Sequence, residues 1–401
     1  MTNADDAPHR EEICSVPDGE TAPVEKGSHV YLVDGSGYIF RAFHALPPLT
    51  RPSDGLPVGA VHGFCQMLWK LLTDTKTSEA PTHIAVVFDY SAKTFRNDIS
   101  DDYKANRPPP PEELLPQFPL IRDAVKAFNV ACVEQKGFEA DDLIATYTRQ
   151  VIEAGGDVTV VSSDKDLMQL VQPGVVMLDG MKNKRIGPDE VMEKFGVPPD
   201  KVIDVQALAG DSVDNIPGVP GIGVKTAAQL ITEYGDLDEL LARAGEIKQP
   251  KRREKLIEFA DLARVSRDLV TLAQDAPLSV SPECLAVQEP APENLLGFLR
   301  DMEFNTLTRR IAESLGADPP AAPAVSVGAT VAKGRKADAA ATGEDTGKAA
   351  EAGTPQAAVA HGRALALSVS FDRSAYQTVT KREQLEGWVA EALDAGRVAF
   401  D

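Results

Sequence analysis

Acidic side chains recur at the ends of short apolar runs in this sequence. The runs HVYLVD, HIAVVFD and VTVVSSD are rich in Val and end in Asp34, Asp89 and Asp164. Such runs predict buried strands of a parallel sheet, and ligands of α/β sheets bind at the carboxyl ends of the strands. We therefore expect these carboxylates to meet at one edge of a sheet.

Two further motifs add carboxylates at helical spacing. Glu139 and Asp142 are three residues apart in GFEADDLIA, and Asp211 and Asp214 repeat this spacing in LAGDSVDN. A single Asp after a strand is more often a turn former or a helix N-cap, and we interpret Asp179 in this way. The candidate metal ligands are Asp34, Asp89, Glu139, Asp141, Asp142, Asp164, Asp166, Asp211 and Asp214.

Carboxylates brought together in this number repel one another and require a compensating cation. Oxygen ligands without His or Cys select Mg²⁺, for which Mn²⁺ substitutes. Two such ions about 4 Å apart suit phosphodiester hydrolysis, because they lower the pKa of an attacking water and offset the charge of the transition state. No G-x-x-x-x-G-K-[ST] loop and no Ser-His-Asp or Cys-His arrangement competes with this chemistry.

The composition is that of a globular protein with an acidic balance. The chain has 401 residues, with 61 Asp and Glu against 41 Lys and Arg, which gives a net charge of −20. Nucleic-acid binders usually present a basic face, but two bound divalent ions would offset four of these charges. No apolar run approaches the ~18 residues of a transmembrane helix. The four cysteines form no C-x-x-C pair, the N-terminus resembles no signal peptide, and we expect a cytoplasmic protein.

Changes in periodicity divide the chain into five parts. Residues 1–28 are polar and predict a disordered extension, whereas 29–197 alternate apolar runs with helical spacing and predict an α/β domain. Residues 198–316 have helical patterns only. An Ala-, Gly- and Pro-rich stretch at 317–361 predicts a flexible linker, and 362–401 regain strand and helix patterns.

The segment IPGVPGIGVKTAAQLI (216–231) predicts a helix-hairpin-helix. Gly221 and Gly223 allow a tight turn, so that backbone N–H groups at a helix N-terminus can meet a phosphate. Lys225 is placed to pair with the same phosphate. A bare G-x-G is no more than a helix cap, but the surrounding apolar residues make this pattern specific for DNA-backbone binding.

Basic residues in three other places are candidate DNA contacts. Residues 93–113 carry Arg96, Lys104 and Arg107 and end in four prolines, so this segment is either a solvated loop or a lid over the acidic site. KQPKRREK (248–255) is either an exposed helix start or a phosphate-tracking patch. Phe40 and Arg41 follow the Asp34 turn, where Phe40 is either a core residue or a base-stacking one.

These motifs, in this order, resemble the 5′-nuclease domain of bacterial DNA polymerase I. The motifs are VDGSGYIFRAFHAL, VVFD, YKANRPPPPEEL, GFEADDLIAT, VVSSDKDLMQL and ALAGDSVDNIPGVPGIGVKTAAQLI, and the resemblance covers about residues 29–316. It implies an α/β fold with a PIN-like parallel sheet and a helical arch, followed by an all-helical subdomain. It also implies Mg²⁺-dependent hydrolysis of duplex DNA at 5′ ends, flaps and nicks, including RNA primer removal in replication and repair.

The resemblance assigns a role to each candidate residue. It places Asp34, Asp89, Glu139 and Asp141 in the tighter metal set, and the other five acids in the second set or its outer shell. Lys104 resembles a lysine that contacts the scissile phosphate, with Arg96 supporting it. Phe40 and Arg41 resemble a pair that grips the terminal nucleotides. The hairpin of this family often holds a K⁺ ion through backbone carbonyls, which this sequence permits.

The tail after 362 resembles the opening of a 3′–5′ exonuclease domain, with Asp401 as its first metal aspartate. We therefore expect a monomeric nuclease region with no polymerase domain in this chain. Two alternatives remain at this point. A helix-hairpin-helix module without catalysis would lack some of the acids, and a metal-dependent phosphatase or RNase would lack the hairpin and the basic residues of 93–113.

Overall fold

A six-stranded sheet lies at the centre of the computed structural model, which describes residues 16–318 except 18, 75–79 and 181. All of these residues belong to one unit, Met1–Val325. The strand order is β3-β2-β1-β4-β5-β6, and every pairing is parallel except that of β5 with β6. The strands are β1 (His29–Asp34), β2 (His83–Val87), β3 (Ala131–Val133), β4 (Asp157–Val161), β5 (Val175–Asp179) and β6 (Lys184–Ile186).

Thirteen helices and four short 3₁₀ segments connect and cover the described strands. The helices are α1 (Gly35–Ala45), α2 (Gly59–Asp74), α3 (Arg96–Ile99), α4 (Gln117–Ala127), α5 (Ala140–Glu153), α6 (Pro188–Phe195), α7 (Val202–Ala209), α8 (Val224–Tyr234), α9 (Leu237–Ala242), α10 (Pro250–Glu258), α11 (Ala260–Val270), α12 (Pro292–Asp301) and α13 (Asn305–Leu315). None of these helices is long and apolar enough to cross a membrane.

Alternate residues of β1 face two separate hydrophobic layers. Val30 and Leu32 belong to the hydrophobic layer that contains α5 and extends into the helical region, a name used for α7 to α11. Tyr31 and Val33 pack on the other face with α1, α2 and α4. Burial on both faces explains the continuous apolar runs of the strands, as expected for a parallel sheet. The predicted α/β fold class with a following helical part is confirmed.

The last two helices return to the sheet. Leu295, Leu299 and Ile311 of α12 and α13 are buried in the same layer as α2 and α4. Residues 198–316, predicted as one helical subdomain, therefore contribute to two places in the fold. An amphipathic helix pattern does not specify which apolar surface will cover it, so sequence periodicity alone did not distinguish them.

Residues 1–15 and 18 of the predicted disordered extension lie outside the described residues, whereas the end of the extension is ordered. The Ala22 N–H donates to the Glu283 carbonyl at 3.1 Å, and Val24 packs against the core. Backbone pairing of this kind does not depend on composition, which explains the difference. The predicted linker beyond Asp318 and the predicted start of an exonuclease domain at 362–401 lie outside the described residues.

The segment 93–113, where the resemblance implies a helical arch around Lys104, contains one helix of four residues, α3, and otherwise turns and irregular backbone. Lys104 has a φ of 56°, in the left-handed region, and the following prolines lack the N–H that a helix requires. This segment lies against the connection between α7 and α8. The Asn106 amide donates to the Ser212 carbonyl at 2.8 Å, and that of Asn215 donates to the Asp102 carbonyl at 2.7 Å.

Two glycines meet inside the connection between α7 and α8. Gly210 and Gly218 have φ values of 70° and 60°. A Cβ atom on Gly218 would lie 2.7 Å from the Cα of Gly210, where no carbon fits. The Gly218 N–H donates to the buried Ser266 hydroxyl of α11 at 3.1 Å. The hairpin therefore depends on close backbone contact that any side chain would prevent.

We expect Gly218→Ala to lower the free energy of unfolding by about 3 kcal/mol, because it combines an unfavourable φ with steric overlap. Urea denaturation of the purified chain measures this change. Gly297→Ala is the matched control: Gly297 lies in α12 with open space around its Cα, so alanine should stabilise the helix by up to ~1 kcal/mol. Equal stability of the two variants would contradict the packing described here.

Candidate active site

The site lies between β1 and β4, where the order in which the chain adds strands to the sheet reverses. β1 has β2 on one side and β4 on the other, so the connections after β1 and β4 lead away from each other. Such a switch point opens a crevice at the carboxyl ends of the strands. Asp34 is the last residue of β1, and Asp89 and Asp164 follow β2 and β4. The predicted meeting of these carboxylates at one edge agrees with this topology.

Asp34 is buried and caps α1. Its Oδ1 accepts the Gly37 N–H at 2.8 Å, and its Oδ2 accepts the Ser162 hydroxyl at 2.8 Å. Burial, with smaller contributions from the nearby Asp89 and Asp164 carboxylates, raises the pKa of Asp34 to about 6, although its two hydrogen bonds act in the opposite direction. The sequence folds this way because an aspartate before Gly-Ser-Gly is a good helix N-cap.

Asp89 joins the end of β2 to the N-terminus of α5. Its Oδ1 accepts the Ala140 N–H at 2.9 Å, and its Oδ2 accepts the Ser36 hydroxyl at 2.6 Å. A carboxylate at a helix N-terminus is favoured by the free N–H groups and by the helix dipole. Asp89 thereby brings the N-terminus of α5, with Glu139 as its N-cap and Asp141 in its first turn, to the same edge as Asp34.

Five carboxylates share this edge, and we call them the acidic edge: Asp34, Asp89, Glu139, Asp141 and Asp164. Burial raises the pKa of Asp141 well above its usual range, and each of the other four raises it further. Among the described residues, no three His, Cys, Asp or Glu side chains are arranged closely enough to hold one metal ion.

Asp166 and Asp211 form a second group around Lys165. The Lys165 ammonium lies 3.3 Å from Asp166 and forms a very short ion pair with Asp211. Burial raises the pKa of Asp166, and the Asp164 carboxylate raises it further. Partial burial acts in the same direction on Asp211, but the hydrogen bonds from Lys165 and the Val213 N–H hold its pKa below the usual range.

Lys104 and Arg107 contact the acids that they were predicted to accompany. Lys104 Nζ lies 2.7 Å from Glu139 Oε2 and 3.8 Å from Asp214 Oδ2, and Arg107 forms a short ion pair with Asp214. The two carboxylates hold the pKa of Lys104 above its usual range although burial acts against this. The segment 93–113 therefore lies over the site, in agreement with the prediction of a lid.

Arg96 and Asp142 occupy different positions from those predicted. The Arg96 guanidinium, with its side chain 1% exposed, donates two hydrogen bonds of 2.8 Å to the fully buried Asp142 carboxylate. Asp142 therefore faces away from the acidic edge, which corrects its prediction as a direct metal ligand and leaves the outer-shell role that the resemblance allowed. Consecutive helix residues differ by about 100° in direction, so Asp141 and Asp142 cannot face the same site.

Arg41 lies at the side of the crevice near the end of β5, and Phe40 precedes it on α1. The Phe40 residue is 41% exposed, which favours contact with a ligand over the core alternative. Arg41 donates to Asp179 at 3.2 Å and to the Ser163 hydroxyl at 2.7 Å. Asp179 accepts the Lys182 N–H at 3.3 Å, as expected for a turn former, and also orients Arg41, which its sequence context did not indicate.

The hairpin presents the predicted phosphate-binding groups to solvent. Gly221 has a φ of 85°, Gly223 caps α8, and a Cβ atom at either position would meet nothing within 4 Å. Lys225 is exposed in the first turn of α8, where the helix N–H groups have no intrahelical acceptors. The basic segment 248–255 forms the start of α10, where Lys255 pairs with Glu258 at 2.9 Å.

Several residues that organise the site were not singled out from the sequence. Ser36 and Ser162 bind Asp89 and Asp34, and Lys165 lies between two candidate metal ligands. The available signal was their position next to the strand ends, in DGSG and SSDKD. A serine or lysine beside an aspartate is so common, however, that only the fold distinguishes a site residue from a surface one.

Two family models match the chain over consecutive ranges. The "5'-3' exonuclease, N-terminal resolvase-like domain" covers residues 29–196, and the "5'-3' exonuclease, C-terminal SAM fold" covers 197–293. The first is the sheet with its acidic edge, and the second contains the hairpin. The chain belongs to the 5′-3′ exonuclease family, a family of nucleases, and the resemblance seen in the sequence is confirmed.

Curated relatives with high identity fall into two kinds. DNA polymerase I of Rhizobium leguminosarum is 55% identical over 95% of this chain, and DNA polymerase I of Bacillus subtilis is 40% identical over 70%. The chain spans 40% and 32% of the lengths of these two proteins. The 5'-3' exonuclease of Aquifex aeolicus is 36% identical over 70% of this chain, and the match covers 94% of that protein.

Solved structures share the fold. The bacteriophage T5 D15 protein co-crystallized with metal ions aligns with a TM-score of 0.52 at 21% identity, over 71% of this chain and 98% of that one. The T5 flap endonuclease in a pseudo-enzyme-product complex with DNA and metal ions aligns equally well. At this identity the likeness establishes the architecture only.

The raised pKa of Asp34 predicts a pH dependence of stability in the metal-free protein. The unfolded chain loses this proton near pH 4 and the folded chain near pH 6, so the free energy of unfolding should fall as the pH rises through this window. Asp34→Asn should remove up to about 3 kcal/mol of this fall. Urea unfolding in EDTA from pH 4 to pH 7 measures it; identical pH profiles for variant and wild type would contradict the assignment.

Proposed function

We propose that this chain is a divalent-metal-dependent nuclease that removes nucleotides from 5′ ends and cuts 5′ flaps of duplex DNA. The observation that carries the proposal is the acidic edge, where burial and the proximity of the carboxylates to one another raise the pKa of Asp34 and Asp141. An edge of this kind is unfavourable unless cations bind to it. Because the chain belongs to a family of nucleases, we infer that the bound cations act on a phosphodiester.

The donor atoms present fit two Mg²⁺ or Mn²⁺ ions, because they are hard oxygen ligands without nitrogen or sulfur. We assign Asp34, Asp89, Glu139 and Asp141 to the first ion, and Asp166, Asp211 and Asp214 to the second. Asp164 raises the pKa of both Asp141 and Asp166, so it belongs between the two groups. Bound ions would supply positive charge against the phosphodiester and lower the pKa of the attacking water.

Lys104 and Arg107 act as phosphate partners in this proposal. Both cations already lie over the carboxylates, within reach of Glu139 and Asp214. A phosphodiester that enters the crevice offers them a second anionic partner, so they orient the scissile phosphate and offset its charge. The fork of the Arg107 guanidinium suits two phosphate oxygens, whereas the Lys104 ammonium acts as a point charge.

The hairpin and the Phe40 side of the crevice would hold the DNA on either side of the cut. The open backbone at Gly221 and Gly223 and the exposed Lys225 favour contact with the phosphate backbone of the duplex, with K⁺ as an additional ligand of the hairpin. Phe40 can stack on a base of the DNA. Asp179 orients Arg41, which would contact the same DNA strand. Neither contact reads base sequence.

The named relatives suggest the biological setting. We propose that the chain acts as the 5′-nuclease region of a DNA polymerase I, in RNA primer removal, nick translation and repair, as a cytoplasmic, nucleoid-associated monomer. This rests on the 55% identity to the Rhizobium leguminosarum protein, which extends over 95% of this chain.

A 5′-flap duplex labelled at its flap tests the proposed activity. We expect short labelled products with Mg²⁺ and none with EDTA, and the double variant Asp89→Ala with Asp166→Ala should lose about 10³-fold or more in rate, since both ion sites lose a ligand. Product length separates flap cutting from stepwise removal. A flap that is bound but never cut with Mg²⁺ or Mn²⁺ would instead establish a non-catalytic DNA-binding module.

Lys225→Ala tests the hairpin separately. Loss of one phosphate contact should weaken binding to every sequence alike and reduce the slope of log K against log salt concentration by about 1. Fluorescence anisotropy with a labelled flap duplex in EDTA measures both effects. Lys70→Ala is the matched control, because Lys70 is exposed on α2, which packs on the opposite face of the sheet. An unchanged slope for Lys225→Ala would exclude the hairpin from the duplex interface.

A further inference from the structure

The Arg96 side chain connects segments that are far apart in sequence. Its Nε donates to the Leu269 carbonyl at 2.8 Å, and its Nη2 donates to the Thr271 carbonyl at 3.0 Å. Both guanidinium NH₂ groups also bind Asp142, so at least four hydrogen bonds fix this side chain. With 1% of the side chain exposed, Arg96 cannot reach a DNA phosphate without a rearrangement of its surroundings.

The oxygens of Asp142 are fully used within the protein. Oδ1 accepts hydrogen bonds from Arg96 and from the Ala273 N–H at 2.9 Å. Oδ2 accepts hydrogen bonds from Arg96 and from the Glu139 N–H at 3.0 Å. A carboxylate has about four lone-pair positions, so Asp142 has none left for a metal ion.

These contacts determine where the first turn of α5 lies. Asp142 holds the backbone of Glu139 through the capping box of α5, and Arg96 Nη1 lies 4.0 Å from the Glu139 carboxylate. Asp141 directly precedes Asp142 in the same turn. The direction of both acidic side chains towards the crevice therefore depends on a buried ion pair that itself stays outside the crevice.

The same ion pair reaches the hairpin through α11. Leu269 and Thr271 stand at the end of α11, and the Ser266 hydroxyl of this helix accepts the Gly218 N–H of the hairpin connection. The guanidinium fork allows only one arrangement of its partners, because planar bidentate pairs are geometrically specific. A single ion pair thus aligns the acidic first turn of α5 with the helix that supports the hairpin.

We propose that Arg96 and Asp142 are a positioning pair, which holds Glu139 and Asp141 in register with α11 without touching metal or DNA. The inference deepens the proposed nuclease function and rests on it. Outer residues that orient metal ligands commonly change metal affinity or turnover by 10–100-fold when altered. The pair should therefore affect turnover and metal affinity, and leave DNA affinity unchanged.

The double variant Arg96→Gln with Asp142→Asn tests this, because it removes both charges together and leaves no lone buried ion. We expect kcat on the 5′-flap duplex to fall at least tenfold while KM changes less than twofold. Calorimetric titration of the DNA-free protein with Mn²⁺ should show affinity at least tenfold weaker. Arg96→Lys keeps the positive charge but loses the two-pronged guanidinium group, and it should show the same loss of Mn²⁺ affinity. This variant tests the proposal if the double variant does not fold.

Arg149→Gln is the matched control. Arg149 also joins α5 to the segment after α11, by donating to the Gln274 carbonyl at 2.7 Å, but about two turns away from the acidic residues. Its kcat and Mn²⁺ affinity should equal those of the wild type. The proposal would be overturned if the Arg96 variants bound Mn²⁺ as tightly as the wild type does, or if they changed KM and left kcat unaltered. If the wild-type chain cuts no flap, the proposed function is wrong. The Mn²⁺ titration then still tests whether Arg96 and Asp142 position the metal ligands.

Discussion

Repulsion between like charges is the constraint on which the arrangement of this protein depends. Asp34 and Asp141 share an edge with three further carboxylates, and the cost of this proximity is visible in the raised pKa values of both groups. Neutral donors hold the edge together: N–H groups at the starts of α1 and α5, and the hydroxyls of Ser36 and Ser162. A sheet covered on both faces supplies the rigidity that such a set requires.

The positive charges around the acidic edge come from other parts of the fold. Lys104 and Arg107 belong to the segment between β2 and α4, and they meet Asp214 of the hairpin connection, which the helical region supports. The acids of the sheet and the cations beside them thus reach one place only when both parts of the chain are assembled. This interdependence explains why the helical region packs as a continuation of the core and shares its hydrophobic layer with α5.

Sequence reasoning found the strands that carry aspartates, because buried strands and their acidic ends are both local patterns. It missed β3 and β6, which have three residues each and no period to detect. Helical spacing alone did not separate Asp141 from Asp142, and only the family resemblance placed them in different metal sets. Their directions depend on the phase of α5, which is fixed by Arg96, 46 positions from Asp142. The destination of α12 and α13 was undetermined for a similar reason, since amphipathic helices cover whichever apolar surface the fold leaves open.

The buried Arg96–Asp142 pair has a consequence for how the sequence can vary. Loss of either partner alone leaves an uncompensated charge in the interior, at a cost of about 3–5 kcal/mol, whereas joint replacement by well-packed neutral residues can be nearly neutral. Drift at either position is therefore blocked unless the other changes as well. In a large set of related sequences, positions 96 and 142 should therefore co-vary. Sequences with an arginine at position 96 should have an acidic residue at position 142.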